Sequence, residues 1–335
     1  MTVLVTGGAG YIGSHMVHEL VDAGERVIVL DNLTTGFRSA VPSSVLLYVG
    51  DAGNRELVTA LLGAHQVDSI LHFAGSVVVP DSVRDPLGYY LNNTMTTRNL
   101  IEAAVSAKVR QFIFSSTAAV YGNPDKVPVA EDAPTKPMSP YGTSKLMTEI
   151  MLHDVAAATD LRYVILRYFN VAGADPAGRT GLSTAGATHL LKVAVEAALG
   201  RRPKLDVFGT DYPTPDGTCI RDFIHVTDLA RAHLAALGYL RRGRPSATFN
   251  CGYGHGYSVL QVIEAVKRIS ARNFAVSFAD RRPGDIMEMI ADAGRIRGAL
   301  GWIPQLDDLD TIVTHALAWE HHLAERDRAR QAVSA

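Results

Sequence analysis

Much is scarce or missing in this chain. Its 335 residues include two cysteines, Cys219 and Cys251, and neither belongs to a CxxC pair. A disulfide framework and a zinc knuckle are therefore not expected. Neither sign of charge dominates, because 32 Lys+Arg face 34 Asp+Glu for a formal net charge of −2. With no broad basic field for nucleic acid or an anionic membrane, any anion must be held at a local site. No apolar run approaches the roughly 20 residues of a membrane-spanning helix. The start, MTVLVTGGAG, has no basic n-region and breaks at glycine, unlike a signal peptide. The twelve histidines show no HExxH or other ligand spacing, so no metal site is expected. What is present is ordinary for a globular protein: 47% hydrophobic and 20% charged residues. The expectation is a soluble cytoplasmic protein of about two domains, at roughly 150 residues per domain.

Short apolar runs alternate with longer amphipathic ones, the βαβ rhythm of a parallel sheet. Strands are predicted over 2–6, 26–30, 45–49, 69–73, 111–115 and 162–168. Helices are predicted over 12–23, 54–62, 87–107 and 141–159. That order implies an α/β fold with a doubly wound parallel sheet and right-handed crossovers. After Asn170 the texture changes, and 171–186 and 209–217 read as loops. Helices near 188–199, 228–241, 259–269 and 309–325, with strands over 204–208 and 275–278, suggest a second lobe. The division expected is 1–170 for the first domain and 171–335 for a smaller mixed α/β lobe, with room for the chain to cross back. The closing RDRARQAVSA reads as a frayed tail.

The first predicted strand runs into GGAGYIG, where Gly8, Gly10 and Gly13 match G-x-G-x-x-G and Gly7 adds a further glycine. A tight strand-to-helix turn needs backbone angles that glycine takes cheaply, and a pyrophosphate must reach N–H groups without meeting a Cβ. Asp31 ends the second strand, eighteen residues past Gly13. A carboxylate there accepts from the adenosine ribose and repels a 2′-phosphate, which favours NAD over NADP. Two more strand ends fit the same ligand: Asp51 could meet the adenine edge, and the small Ala74 and Gly75 leave room.

Tyr141 and Lys145 open a predicted helix and share one face at a spacing of four. An ammonium near a phenol favours the phenolate and draws its pKa from about 10 toward neutrality. Such a tyrosine can take and return a proton near pH 7. The strand ending Ser115-Ser116-Thr117 offers a hydroxyl beside it.

TGGAGYIG, the Asp31-Asn32 strand end, HFAG, the Asn92-Asn93 pair, FIFSSTAAVYG, SPYGTSK, LRYFNVAGA and GTCIRDFIHV together resemble the extended short-chain dehydrogenases/reductases. Within that family the UDP-glucose 4-epimerase branch is the most similar, from residue 2 to about 303. The resemblance implies a Rossmann domain with a C-terminal substrate lobe, tightly bound NAD, a UDP-sugar substrate and a homodimer with a helical interface. It carries over Thr117, Tyr141 and Lys145 as catalytic residues. The implied reaction takes hydride from C4 of the sugar to NAD and returns it to the other face of a 4-keto intermediate, with Tyr141 exchanging the 4-hydroxyl proton. Around the cofactor it implies Gly7, Gly10, Tyr11, Ile12, Gly13, Asp31 and Asn32. Farther along the sheet it adds Asp51, Ala52, Phe73, Ala74, Gly75, Asn92 and Phe169, with Tyr141 and Lys145 serving here too. For the substrate it implies Arg221 and Arg282 on the diphosphate, Asp285 on the uridine ribose, and Phe208 at the uracil with Asp206 and Val207 beside it. Asn170, His189, Leu190 and Thr117 complete that set, and Met289 stands where the family lines the sugar pocket.

The chain departs from many epimerases at Val77, where some carry lysine, and at Thr188-His189-Leu190, where many carry Asn-Asn-Leu. A UDP-N-acetylhexosamine or UDP-pentose is an alternative substrate. A nucleotide-sugar 4,6-dehydratase or decarboxylase, or a non-catalytic dinucleotide-binding regulator, is an alternative class.

Overall fold

The computed structural model describes residues 1–184, 186–282 and 284–334, apart from the side chains of 329–334. The apolar run Thr2–Thr6 forms β1 and is buried throughout, as a parallel strand covered on both faces must be. α1 (Tyr11–Asp22) follows the glycine turn and buries Met16, Val17 and Leu20. The chain continues through β2 (Arg26–Asp31), β3 (Leu46–Val49), α2 (Arg55–Ala64) and β4 (Val67–His72). Asn54 caps α2 by accepting from Leu57 N at 3.1 Å.

The long helix predicted over 87–107 is interrupted instead. α3 (Val79–Arg84) and α4 (Pro86–Tyr89) lead into a π-helical stretch, Tyr90–Met95, and then α5 (Thr96–Ser106). Pro86 begins a new helix and Asp85 caps it, accepting from Gly88 N at 2.9 Å. The wider π turn delivers Asn93 to the buried side. β5 (Gln111–Ser115), α6 (Pro140–Ala158), β6 (Arg162–Tyr168) and the short β7 (Asn170–Ala172) follow. Ser139 and Pro140 start α6 as cap and first residue, with Ser139 accepting from Gly142 N at 3.2 Å.

Beyond residue 172 come α7 (Leu190–Ala198), β8 (Lys204–Phe208), β9 (Ile220–Arg221), β10 (Phe223–His225) and α8 (Val226–Arg241). They are followed by β11 (Ala247–Cys251), β12 (Tyr257–Ser258), α9 (Val259–Ser270), β13 (Ala275–Ala279), β14 (Glu288–Met289), α10 (Gly294–Leu300) and α11 (Leu309–Ser334). The tail expected to fray is helical to Ser334, and Ala335 lies outside the described residues.

The main sheet has seven parallel strands in the order β11-β6-β5-β4-β1-β2-β3. The order reverses between β1 and β4, which opens a crevice at their carboxyl ends. Alternate residues feed opposite layers: Val3 and Val5 join α1 and α8 in one core, while Leu4, Phe112 and Phe114 join α2, α5 and α6 in the other. β11 was not anticipated. It brings the chain back to the first sheet, pairing Phe249 with Leu166 and Asn250 with Arg167. The remaining strands form small sheets: β7 with β10, β8 with β13, and β12-β9-β14. No described helix is long and apolar enough to cross a membrane.

Candidate active site

The glycine turn sits at the switch point and is too tight for side chains. A Cβ on Gly13 would lie 2.1 Å from Gly7 O, and Gly7 has φ +71° with Ala74 N 2.5 Å from where its Cβ would be. Gly10, the residue before α1, offers no side-chain cap, so the first-turn N–H groups remain available to an anion. Asp31 accepts from Ala9 N at 2.9 Å and Leu33 N at 2.8 Å, which fixes its carboxylate and leaves acceptor capacity for a ribose. Gly75 takes φ +154°. Beside it Asn93 accepts from Ser76 N at 2.7 Å and donates to Ser76 O and Ser144 Oγ, both at 3.0 Å. Asn92, the partner chosen from sequence, donates to Ser76 Oγ at 2.8 Å. These residues fit a dinucleotide: an uncapped helix N-terminus, a cradle closed to Cβ atoms and a fixed ribose acceptor. Ala52 is buried in the second core and Phe73 packs on His233 with ring centres 4.8 Å apart.

α6 presents the chemistry. Its buried face carries Tyr141, Ser144, Lys145, Thr148, Glu149 and Leu152, a mostly polar stripe at helical spacing. Lys145 Nζ donates to Ser115 O at 2.9 Å, and Thr117 lies beside the Tyr141 phenol and favours its ionised form. Burial opposes that effect and pushes the Tyr141 pKa up to about 12. Burial also lowers Lys145 to about 8, with Glu149 acting the other way. The depressed tyrosine expected from the Lys145 spacing is thus not seen, because burial outweighs the Thr117 hydrogen bond and Lys145 adds no resolved effect on the phenol. NAD, when bound, supplies a hydride acceptor and a positive ring that favours the phenolate.

The substrate-side residues fall into two sets. Phe169 and Met289 are buried together with Ala118 and Tyr121, next to Thr117. Asn170 leads β7 and pairs through its backbone N with Asp222 O at 2.9 Å. Arg221 donates to Ile220 O at 2.9 Å. Arg282 and Asp285 hold each other at 3.0 Å, and the Arg282 guanidinium lies 4.7 Å from the Phe208 ring centre. Pro283 between them lies outside the described residues. His189 is exposed immediately before α7, and Leu190 is its first residue. Of the two residues before Phe208, Val207 points into the core, while Asp206 shares the outer face of β8 with Phe208 and pairs with Lys204 at 2.8 Å and with Ser277, because alternate strand residues face opposite sides.

Several residues in this region were not singled out from sequence. Asn93 shares its dipeptide with Asn92, and only the π turn decides which is buried. Asp222 is buried and its carboxylate accepts from the backbone N of Tyr253, Gly254 and Ala291 at 2.9–3.2 Å, tying the end of β9 to the segments that follow β11 and β14. Glu149 and Arg167 form a buried ion pair at 2.6 Å behind Lys145. Among the described residues no cluster could hold a metal ion.

Known proteins share this fold and much of this sequence. The model of the NAD dependent epimerase/dehydratase family matches residues 3–252, and the chain belongs to that family. A UDP-glucose 4-epimerase of Azospirillum brasilense is 58% identical over 323 residues, covering 96% of this chain and 93% of the relative. The crystal structure of a Brucella ovis UDP-glucose 4-epimerase in complex with NAD is 42% identical with TM-score 0.92, covering 95% of this chain and 97% of that one. A Stenotrophomonas maltophila UDP-glucose 4-epimerase, with bound NAD and formylated UDP-arabinopyranose, is 39% identical with TM-score 0.94, covering 97% of this chain and 99% of that one.

Proposed function

We propose that the chain is an NAD-dependent UDP-hexose 4-epimerase that interconverts UDP-galactose and UDP-glucose through a transient 4-keto sugar. The observation that supports this reading is that Thr117 hydrogen-bonds the Tyr141 phenol while Lys145, on the same buried face of α6, donates to Ser115 O two residues before Thr117. Tyr141 takes the 4-hydroxyl proton and returns it, Thr117 holds the same oxygen, and Lys145 holds the cofactor ribose. Loss of water, as in a 4,6-dehydratase, needs an acid beside Thr117, where Ala118 and Ala119 stand. Incubating the protein with UDP-galactose, without added reductant, separates the readings. UDP-glucose is expected; a 4-keto-6-deoxy sugar would show a dehydratase, and no product would show a binding protein.

Arg221, Arg282 and Asp285 are read as the diphosphate and ribose contacts, with Met289 against the sugar. The division at residue 170 serves as a functional boundary between the cofactor-binding part and the lobe that supplies these contacts. The enzyme is read as cytoplasmic, in keeping with the free buried Cys219 and Cys251. It is also read as a homodimer. α6 turns its polar stripe inward and leaves Met147 and Ile150 exposed, next to Leu91 and Met95. Leu91 is 66% and Ile150 53% exposed. A second copy meeting this face across a two-fold axis would cover both stripes. Ile150→Asp should convert a dimer to monomers by light scattering; a wild-type monomer would overturn the assignment.

A further inference from the structure

A lysine and a glutamate four residues apart on one helix are neighbours and normally attract each other. Lys145 and Glu149 stand in that relation on α6 and are only 3% and 5% exposed, so the attraction is little screened. Lys145 nevertheless forms no ion pair among the described residues. Its Nζ turns to Ser115 O and stands 4.9 Å from the centre of the Phe114 ring. Glu149 is gripped elsewhere. Arg167 Nε donates to both carboxylate oxygens at 3.1 Å, its Nη2 donates to Oε2 at 2.6 Å, and the Ser116 hydroxyl donates to Oε1. Arg167 is itself anchored, with Nη1 donating to Tyr121 Oη at 3.0 Å and to Glu131 O at 3.2 Å. Tyr121 Oη in turn donates to Asn250 Oδ1 at 2.6 Å. The grip comes from β5, β6 and β11, not from the helix that carries Lys145.

We propose that Arg167 is a positioning residue: by clamping Glu149 it keeps the nearest carboxylate off Lys145 and leaves the ammonium free on the cofactor side. The proposal rests on the reading of Lys145 as a partner of Tyr141. It explains why a buried arginine and glutamate stand behind an active-site lysine when an apolar pair could fill the same space. The other groups around the clamp are silent near neutral pH. Burial holds His72 of β4 near 3 and pushes Tyr89, Tyr121, Tyr141, Tyr163 and Tyr168 upward. Glu131 is half-buried at the rim, where its carboxylate accepts from Asn250 N at 2.8 Å.

The test is made on the purified protein with its NAD retained, carrying 13C-labelled lysine, with the Lys145 signal assigned through Lys145→Met and its titration followed by NMR. Arg167→Gln frees Glu149 to face the ammonium, and the Lys145 midpoint should rise by about one unit or more. Glu149→Gln leaves the guanidinium unpaired, and the midpoint should fall by a similar amount. Combining Glu149→Gln with Arg167→Gln should return it close to wild type. Arg167→Lys keeps a cation but cannot grip both oxygens, and should give a smaller rise. A structural pair would lower the melting temperature and leave the midpoint alone, so an unmoved midpoint in Arg167→Gln overturns the proposal, as do shifts of one sign in both single variants. If the glutamine variants do not fold, Arg167→Lys decides, and a midpoint at or below wild type overturns it. Opposite shifts in a protein inactive on UDP-galactose would uphold the clamp and sink the epimerase reading.

Discussion

On the cofactor side of the site, polar groups are already held in place: Asp31 by two backbone N–H groups, Asn93 by Ser76 and Ser144, Lys145 by Ser115 O. On the proposed substrate side, the exposed Arg282 and the part-buried Asp285 hold one another. The first arrangement binds a ligand with little rearrangement, so the ligand can stay. As the proposed diphosphate and ribose contacts, the second pair would have to part each time a ligand arrived and would re-form when it left. That suits a redox-neutral cycle in which NAD is retained and the nucleotide sugar exchanges.

The comparison breaks most easily at Tyr141, the point where the two sides meet. Tyr141→Phe should keep the fold and lose about 10²–10⁴ in turnover. A wild-type rate in the folded variant would remove Tyr141 from the chemistry.

Acid should act through buried histidines on both sides of residue 170. Burial lowers His72 and His225 to about 3, and His15 and His233 to about 4. Below pH 6.5 the unfolded chain protonates these imidazoles while the folded chain refuses the proton. Their stabilisation is complete above the unfolded pKa and is lost as pH falls from about 6.5 toward 4. Melting temperatures of ligand-free protein across that range should drop steadily, and His233→Asn should flatten the slope. The same slope in the variant would assign the acid sensitivity elsewhere.

A smaller effect is expected from Arg282→Ala. It should raise KM for UDP-galactose about tenfold, the scale of one lost charged hydrogen bond, with kcat nearly kept. A fall in kcat at constant KM would mean that Arg282 acts in the transition state.

Smallest is the change in sugar preference from Met289→Ala. Removing this side chain beside Phe169 should improve UDP-N-acetylgalactosamine relative to UDP-galactose by about 1 kcal/mol, roughly fivefold. Comparing kcat/KM for both sugars on both proteins measures it, and an unchanged ratio would show that Met289 serves only the core.

The cofactor half was legible because its signals are local. The glycine turn needs particular residue types at adjacent positions, and the Tyr141–Lys145 spacing is a property of one helix. What stayed hidden depends on distant chain. Asn93 is selected over Asn92 by a π turn that no periodicity announces. Arg167 reads as an ordinary strand residue until Glu149, from another element, is folded against it. β11 does alternate apolar and polar residues from Ala247 to Cys251, a short strand signal that went unread, and only its pairing with β6 shows that it belongs to the first sheet. α6 departs from the pattern that marks a surface helix, since its buried face is mostly polar while Met147 and Ile150 are exposed.

The position of β11 has a consequence for how the molecule is made. Six strands of the sheet are encoded before residue 169, but the strand that covers β6 ends only at Cys251. During synthesis a growing chain would carry β6 as an open edge, with unpaired N–H and C=O groups, until that later segment emerged from the ribosome. Such non-local pairing slows folding and leaves time for edge-to-edge association between incomplete chains. A chain cut after β6 would keep the glycine cradle and the Tyr141 helix yet present that edge permanently, and it should aggregate where the whole protein does not.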